Sequence, residues 1–434
     1  MASEREFDVV VFGATGFTGA LCAEYLLQTY GVNGELRWAI AGRSEAKLNK
    51  VKKSLSKLFG EEANAADLPI VVADSANEGS LRAMCARTQV VISTVGPFVN
   101  YGTPLVSACV AESTEYVDST GESTWIRRMM DLYQEEAVAK GIRLVPSAGY
   151  DSIPSDLTVY KLVQHIKEQN SDARIKDVVN YIGPTSSSIS GGTLHTIANI
   201  ISAEDKKLLA KVFGNPFSLA PGGKRNNLRK GLSSQRGIKF DKTAKAWTAP
   251  WLMSSGNERI VVRSAEVNEY GSDFTYLEVT AFQSMFKALS MMLTINVGMA
   301  LLLIPPIRFL ITKYLFTSPG DGPSRKDRDR GIGTMTAVAS SAGTTYKMEC
   351  RIWGGDVGYK STGMMLGETA AALVRSKATV GTSAGGFQTA ATCAGLQDDL
   401  VDAFAEKCSI TFVPSTGLGV KTMDSTYKRI SYRG

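Results

Sequence analysis

The sequence predicts an α/β protein with a parallel, doubly wound sheet in its N-terminal third and a mixed α/β domain behind it. Three observations predict this. A strand-like run, residues 8–12 (DVVVF), passes directly into a glycine turn, Gly13-Ala14-Thr15-Gly16-Phe17-Thr18-Gly19, and then into helical spacing over residues 20–27. Short apolar runs then alternate with helical patterns as far as residue 146, which is the pattern of successive βα units. Finally, residues 288–307 (ALSMMLTINVGMALLLIPPI) carry no charge between Lys287 and Arg308.

The glycine turn is a variant, G-x-x-G-x-x-G, of the Rossmann dinucleotide fingerprint. A buried strand ending in a tight turn aims the unpaired N–H groups of the next helix, and the positive end of its dipole, at one point where a pyrophosphate sits. Gly13, Gly16 and Gly19 keep that approach clear, because a Cβ would hold the phosphate away. Thr15, Phe17 and Thr18 complete the candidate cofactor-binding turn. A second strand, residues 36–41, closes on Gly42-Arg43-Ser44. An acid at this strand end would accept from the adenosine 2′-hydroxyl and select NAD; an arginine pairs with a 2′-phosphate, so Arg43 predicts NADP. The alternative is a solvent-exposed arginine opening the next helix, residues 45–58.

The third strand, residues 69–74, ends in Asp74, which either accepts from the adenine amino group or caps a helix beginning near Ser75. The fourth, 89–94, runs into Val95-Gly96-Pro97-Phe98, so that Thr94, Gly96 and Pro97 come close to the nicotinamide ribose. There follow a helix over 102–111, a fifth strand over 114–118 tipped by Ser119-Thr120-Gly121-Glu122, a helix over 123–140 and a sixth strand over 141–146. Six strands separated by helices make a complete dinucleotide-binding unit.

Composition narrows the remaining classes. The 434 residues suffice for two or three domains, and 44% hydrophobic with 21% charged residues is a folded composition. Net charge is +6, but basic residues are interspersed with acids, so the chain shows no nucleic-acid footprint. The six cysteines form no C-x-x-C pair, and the two histidines, His165 and His195, form no H-E-x-x-H. Neither a metal site, a disulfide framework nor a Ser-His-Asp triad is predicted. Reduced cysteines and an N-terminus too polar for a signal peptide predict a cytosol-facing protein.

GATGFTG at the N-terminus, AGR at the second strand, STVGPF at the fourth, YVDSTGE at the fifth and SAGYDSIPSDL after the sixth together resemble the saccharopine dehydrogenase-like oxidoreductases. That family is similar in turn to the bacterial trans-acting enoyl reductases. The likeness continues through GPSRKDRDRG (322–331), GGDVGYKSTGMMLGETAAAL (354–373) and GGFQTAATCAG (385–395), covering essentially the whole chain. It implies a Rossmann domain, residues 1–157, rejoined by C-terminal helices at about 395–434, and a mixed α/β substrate domain, residues 158–394. Ser147 departs from the family, where a cysteine is common, and leaves no thiol at that place.

At the implied hinge, Gly149-Tyr150-Asp151-Ser152 leads into an amphipathic helix over 157–167 and would line the nicotinamide side of a cleft. One reading makes Tyr150 a proton donor oriented by Asp151; the other is a capped helix start with a packed tyrosine. No catalytic residue is assigned. A strand over 178–182, small polar residues over 185–193, a basic stretch over 221–245 and strands over 260–265 and 274–282 follow. The basic stretch is either a solvated excursion or a contact with anionic lipid.

A helix over 288–304 would rise about 25 Å, short of the roughly 30 Å hydrocarbon core, and Pro305-Pro306 would stop it. Residues 307–316 then mix Arg308 and Lys313 with Phe309, Tyr314 and Phe316, as at a membrane interface. The insertion, residues 285–317, therefore predicts a hydrophobic hairpin on a membrane or, with the family resemblance, a lipid-droplet surface. Its other uses are a buried core helix or a homodimer interface. A hairpin over 334–339 and 346–353, a helix over 363–375, a flexible joint at 381–386 and a helix end and strand over 403–412 complete the chain. The expected activity is NADP-dependent reduction of a double bond or carbonyl in a lipid-like substrate. Its competitors are a saccharopine-type amino-acid dehydrogenase and a catalytically silent NADP-binding protein on a lipid surface.

Overall fold

A computed structural model describes residues 5–186, 206–221, 235, 237–314, 322–341, 343–380, 385–416, 420, 422 and 423. The N-terminal third builds the predicted βα units. Strands β1 (Phe7–Phe12), β2 (Trp38–Gly42), β3 (Ile70–Val72), β4 (Thr88–Ser93), β5 (Glu115–Asp118) and β6 (Arg143–Val145) alternate with α1 (Phe17–Tyr30), α2 (Glu45–Phe59), α3 (Glu78–Ala86), α4 (Phe98–Ala111) and α5 (Ser123–Lys140). Every β1 residue is buried, because helices cover both faces of the sheet. Val9 and Val11 pack into one layer with Leu26 and Ile40, and Val10 and Phe12 into the other with Leu105 and Tyr116.

Two helix starts differ from the sequence expectation, each because of a cap. Helix α3 begins at Glu78, where Asn77 Oδ1 accepts from Ser80 N at 3.0 Å. Asp74 therefore does not cap it; its Oδ1 accepts from Ala76 N at 3.0 Å in a local turn. Helix α4 begins at Phe98 rather than 102, because the buried Glu122 carboxylate accepts from Phe98 N (2.9 Å) and Val99 N (2.7 Å). That cap comes from 24 residues downstream, beyond the reach of local pattern.

The second sheet holds β7 (Asp177–Thr185), β8 (Lys239–Asp241), β9 (Ala246–Pro250), β10 (Thr275–Phe282), β11 (Gly333–Ser341), β12 (Thr344–Ile352) and β14 (Ile410–Pro414), in the order β14-β12-β11-β7-β10-β9-β8. Only β7 and β10 run parallel; the other pairs are antiparallel. Helix α6 (Ile153–Gln169) crosses from the first domain and packs against β11 and β12. A short helix, α7 (Lys206–Phe213), precedes β8. Strands β8 and β9 arise within or just after the basic stretch read as an excursion; its residues 222–234 and 236 lie outside the described residues, as do 187–193 of the small polar run.

Residues 260–265, expected as a strand, belong to helix α8 (Ser254–Val267). Its β-branched run, Ile260-Val261-Val262, imitates a strand over a six-residue window, while the helix extends over 14 residues and buries polar as well as apolar side chains. Even its arginines are buried, with Arg259 Nε donating to Val212 O (2.9 Å) and Arg263 NH1 to Leu219 O (2.7 Å).

The chain then forms an exposed apolar pair of helices, α9 (Met285–Leu303) and α10 (Pro305–Tyr314), the prolines opening the second rather than merely ending the first. After the six-residue α11 (Arg325–Arg330) and the β11–β12 hairpin, helix α12 (Lys360–Val380) returns to pack across α1. Gly363 and Gly367 permit that crossing: a Cβ would lie 3.0 Å from Cys22 N at the first and 2.8 Å from the Tyr25 ring at the second. Strand β13 (Gly386–Phe387), absent from the sequence expectation, then pairs with β6, so the first sheet reads β13-β6-β5-β4-β1-β2-β3, all parallel. Helix α13 (Gln397–Cys408) packs on α12 and feeds β14. Where α12 lies on the first sheet, Arg143 is buried with Glu115 (2.5 Å) and bonds Ser376 Oγ (2.7 Å) and Leu373 O (2.8 Å) of that helix.

Candidate active site between the two sheets

The fingerprint turn has the shape a pyrophosphate needs. Gly13 sits at φ +95°, and a Cβ there would be 2.6 Å from Thr94 Oγ1. A Cβ on Gly19 would be 2.3 Å from Gly13 O, so this glycine lets α1 lie against the turn. Gly16 is the N-cap of α1 and no side chain caps the helix, which leaves the first-turn N–H groups available to a ligand. Thr15 is exposed, and Thr18, Thr94 and Pro97 are partly buried around the mouth of the turn, with Gly96 exposed beside them. By contrast, the N-terminus of α4 is closed to anions by Glu122.

Arg43 directly follows β2, and its side chain is exposed. Ser44, not Arg43, caps α2, accepting from Lys47 N at 3.4 Å. Asp74 lies at the end of β3, partly exposed, on the same C-terminal edge of the sheet. Phe17 turns toward the second domain: its ring meets Tyr359 edge-on at 5.1 Å and the Arg328 guanidinium at 5.2 Å. A Cβ on Gly322 would strike this ring. The 322–331 segment thus closes over the first turn of the cofactor helix.

A narrow cleft lies where the turn after β6 meets the second sheet. Its apolar wall is Ile182, Trp251, Met253 and Met335; its polar wall is Tyr150, Asp151, Ser155, Asn257 and Glu278. Glu278 projects from the inner face of β10 and accepts from Ser155 Oγ (2.7 Å), Tyr276 Oη (2.6 Å) and Asn257 Nδ2 (2.8 Å). Burial raises its pKa and these donors pull it back. Tyr150 Oη is buried without a hydrogen-bond partner of normal geometry, and burial raises the phenol well above its usual range. No donor or cation among the described residues reaches the Asp151 carboxyl, which burial pushes up to about 6. At the end of β5, burial pushes Asp118 up to about 7, although Thr120 N (2.8 Å) and Ser147 N (3.0 Å) both donate to it.

Residues 9–145 match the family model of the saccharopine dehydrogenase NADP-binding domain. A Mycobacterium tuberculosis protein that bears the name of a trans-acting enoyl reductase is 37% identical over 390 residues, covering 86% of this chain and 90% of that one. The trans-acting enoyl reductase of Mycobacterium bovis is 32% identical over 393 residues, with the same coverage of 86% and 90%. The chain belongs to the saccharopine dehydrogenase-like oxidoreductases. Among solved structures, apo saccharopine dehydrogenase (L-Glu forming) from Saccharomyces cerevisiae aligns with a TM-score of 0.49 at 13% identity, over 94% of this chain and 99% of that one.

As a member of this oxidoreductase family, the protein is an enzyme with an N-terminal NADP-binding domain. The packing of Gly13 and Gly19 and the absence of a side-chain cap on α1 fit that cofactor. The cleft residues of the second sheet were beyond sequence reasoning. Glu278 carried one faint signal, an acid on the same strand face as Tyr276, Thr280 and Phe282. Asn257, Trp251 and Met253 carried none, being brought in by β9 and the α8 turn.

Proposed function

We propose that this enzyme is an NADPH-dependent reductase of a double bond or carbonyl in a lipid-like substrate, working on the cytosol-facing side of a membrane or on a lipid-droplet surface. In this reading Gly13, Thr15, Gly16, Phe17, Thr18 and Gly19 hold the pyrophosphate, Arg43 pairs with the 2′-phosphate, Asp74 faces the adenine, and Thr94, Gly96 and Pro97 flank the nicotinamide ribose. NADPH supplies hydride; the chain supplies orientation, a dry wall and a proton source.

The observation that carries the substrate class is the lining of the cleft, which among the described residues holds four apolar side chains and two carboxyls without one lysine or arginine. An anionic substrate group would meet two carboxyls and no compensating cation among the described lining residues, at a cost of several kcal/mol when buried. A saccharopine-type dehydrogenase must hold a dicarboxylate, and among the described residues this cleft offers it no cation. The relatives named for enoyl reduction support a double bond as the target. Support for the surface comes from β10, which carries Glu278 and leads three residues later into the exposed apolar helix α9.

The test is NADPH oxidation by purified protein given phosphatidylcholine vesicles that carry the neutral-lipid fraction of a cell extract. Substrate-dependent loss of NADPH absorbance is expected, and none with saccharopine. Tight NADPH binding without oxidation on any fraction would leave the silent NADP-binding protein.

A further inference from the structure

We infer that Asp151 is the proton donor of this reduction, with the Tyr150 hydroxyl hydrogen-bonding the substrate oxygen. The inference rests on the reductase reading above and assigns its missing catalytic group.

Asp151 stands in the turn between β6 and α6, where the first domain gives way to the second. The turn is held on both flanks. Tyr150 N donates to Thr362 Oγ1 (3.2 Å), a Cβ on Gly149 would meet Thr362 Cγ2 at 2.8 Å, and Ser152 Oγ donates to Asn257 Oδ1 (3.1 Å). Between these anchors the Asp151 carboxyl lies against Gly121, whose added Cβ would be 3.7 Å from Asp151 Oδ2. Gly121 is in the loop after β5, on the C-terminal edge of the parallel sheet, which is where the dinucleotide lies in doubly wound folds.

What singles out Asp151 is that it lines the cleft with neither oxygen engaged. Glu278 is held by three side-chain donors and Glu122 by two N–H groups of α4; Asp118 accepts two backbone N–H groups and Asp156 one, from Ala391 N (3.0 Å), each keeping one oxygen without a partner, but both are fully buried and neither lines the cleft. Donors of this kind lower a carboxyl's pKa against the rise from burial. Asp151 has none among the described residues, and it is only half-buried, so solvent reaches it from the cleft. The titratable groups around it are Tyr150 and Glu278 across the cleft and Asp118 and Glu122 beside Gly121, with no cation among them. A carboxyl so placed retains a proton up to about pH 6, near the range in which general acids work. The Tyr150 phenol is a far weaker acid in its buried place and is suited to orient, not to donate.

As hydride from NADPH forms the new C–H bond, the π pair moves onto the neighbouring atom and the Asp151 carboxyl gives that atom its proton. The products are NADP⁺, the reduced substrate and the Asp151 carboxylate, which water reprotonates from the open side of the cleft. A general acid must be protonated to act, so the wild-type rate at limiting substrate falls about tenfold per pH unit above roughly pH 6 and is level below it.

The experiment compares wild type with Asp151→Asn, Asp151→Glu and Tyr150→Phe on the same neutral-lipid vesicles. Asp151→Asn is expected to lower the rate about 100-fold or more and to lose the alkaline limb, with NADPH affinity unchanged in a fluorescence titration. Asp151→Glu restores part of the rate with the limb, and Tyr150→Phe keeps the limb while losing about tenfold. A carboxyl resonance titrating near 6 in ¹³C NMR of the wild type is expected to be missing from Asp151→Asn. Wild-type rates in Asp151→Asn, or an alkaline limb that survives there, would overturn the assignment and leave the reductase intact. No oxidation by wild type that binds NADPH would overturn the reductase and the donor together.

Discussion

At the scale of single residues, the cofactor turn is built from the absence of side chains. A Cβ on Gly13 or Gly19 would penetrate Thr94 or the Gly13 carbonyl itself, so these positions admit no other residue without moving the turn. Arg43 is the opposite case, a long charged side chain left exposed at the end of β2. A charge-assisted pair with a 2′-phosphate is worth about 1.5–3 kcal/mol, or roughly 10- to 100-fold in affinity. Arg43→Ala is therefore expected to weaken NADPH by that factor and leave NADH unchanged, as read by parallel fluorescence titrations. An NADPH-to-NADH ratio equal in both proteins would remove Arg43 from the site. The glycine turn between β1 and α1 and the place of Arg43 just after β2 were legible in sequence, because the turn and the strand end are local. The Glu122 cap and the Glu278 cluster were not, because each depends on a partner at least 21 residues away.

At the scale of elements, α9 and α10 stand apart from the rest of the chain. Only Ala288 and Leu302 of α9 are buried, while Phe286 (75%), Leu293 (50%), Val297 (55%) and, on α10, Phe309 (62%) face outward. The uncharged run is thus no core helix of this chain, and a patch of this kind marks an interaction surface. At 19 residues α9 rises about 28 Å. Its base is fixed by Ala288 packing with Ala249 and Phe282 of the second sheet. Leu293→Asp with Val297→Asp is expected to abolish flotation with phosphatidylcholine vesicles while changing stability by less than about 1 kcal/mol, since both side chains are exposed. Unchanged flotation would deny the surface role. Helix α8 is the reverse case: its polar side chains, Asn257, Arg259 and Arg263 among them, are buried together with Val261 and Val262, so residue type alone does not tell which of its faces meets protein.

At the scale of the whole molecule, the described acids that burial has shifted upward set the pH response of the fold. Asp118 is pushed up to about 7, and Asp151 and Asp156 to about 6, against about 3.9 in an unfolded chain. Between pH 4 and 7 the folded state therefore binds more protons than the unfolded state, and stability falls as pH rises through that window. Thermal unfolding is expected at a lower temperature at pH 8 than at pH 5, and Asp118→Asn, which keeps the acceptor for Thr120 and Ser147, is expected to narrow the difference. A melting temperature that rises from pH 5 to 8 would contradict this. Helix α6 leaves the turn after β6 of the first sheet and packs on β11, β12 and β14 of the second, so the cleft between the sheets exists only in the assembled chain. The sequence by itself determined the six parallel strands, the cofactor turn and the apolar insertion, since each is written in a short contiguous run whose spacing is its own signal. Tertiary structure alone decided that β13 joins the first sheet, that residues 260–265 are helical, and that Asp151, Asn257, Trp251 and Glu278 share one cleft. Those outcomes follow from long-range packing and from which donors reach which acids, quantities that no local window contains.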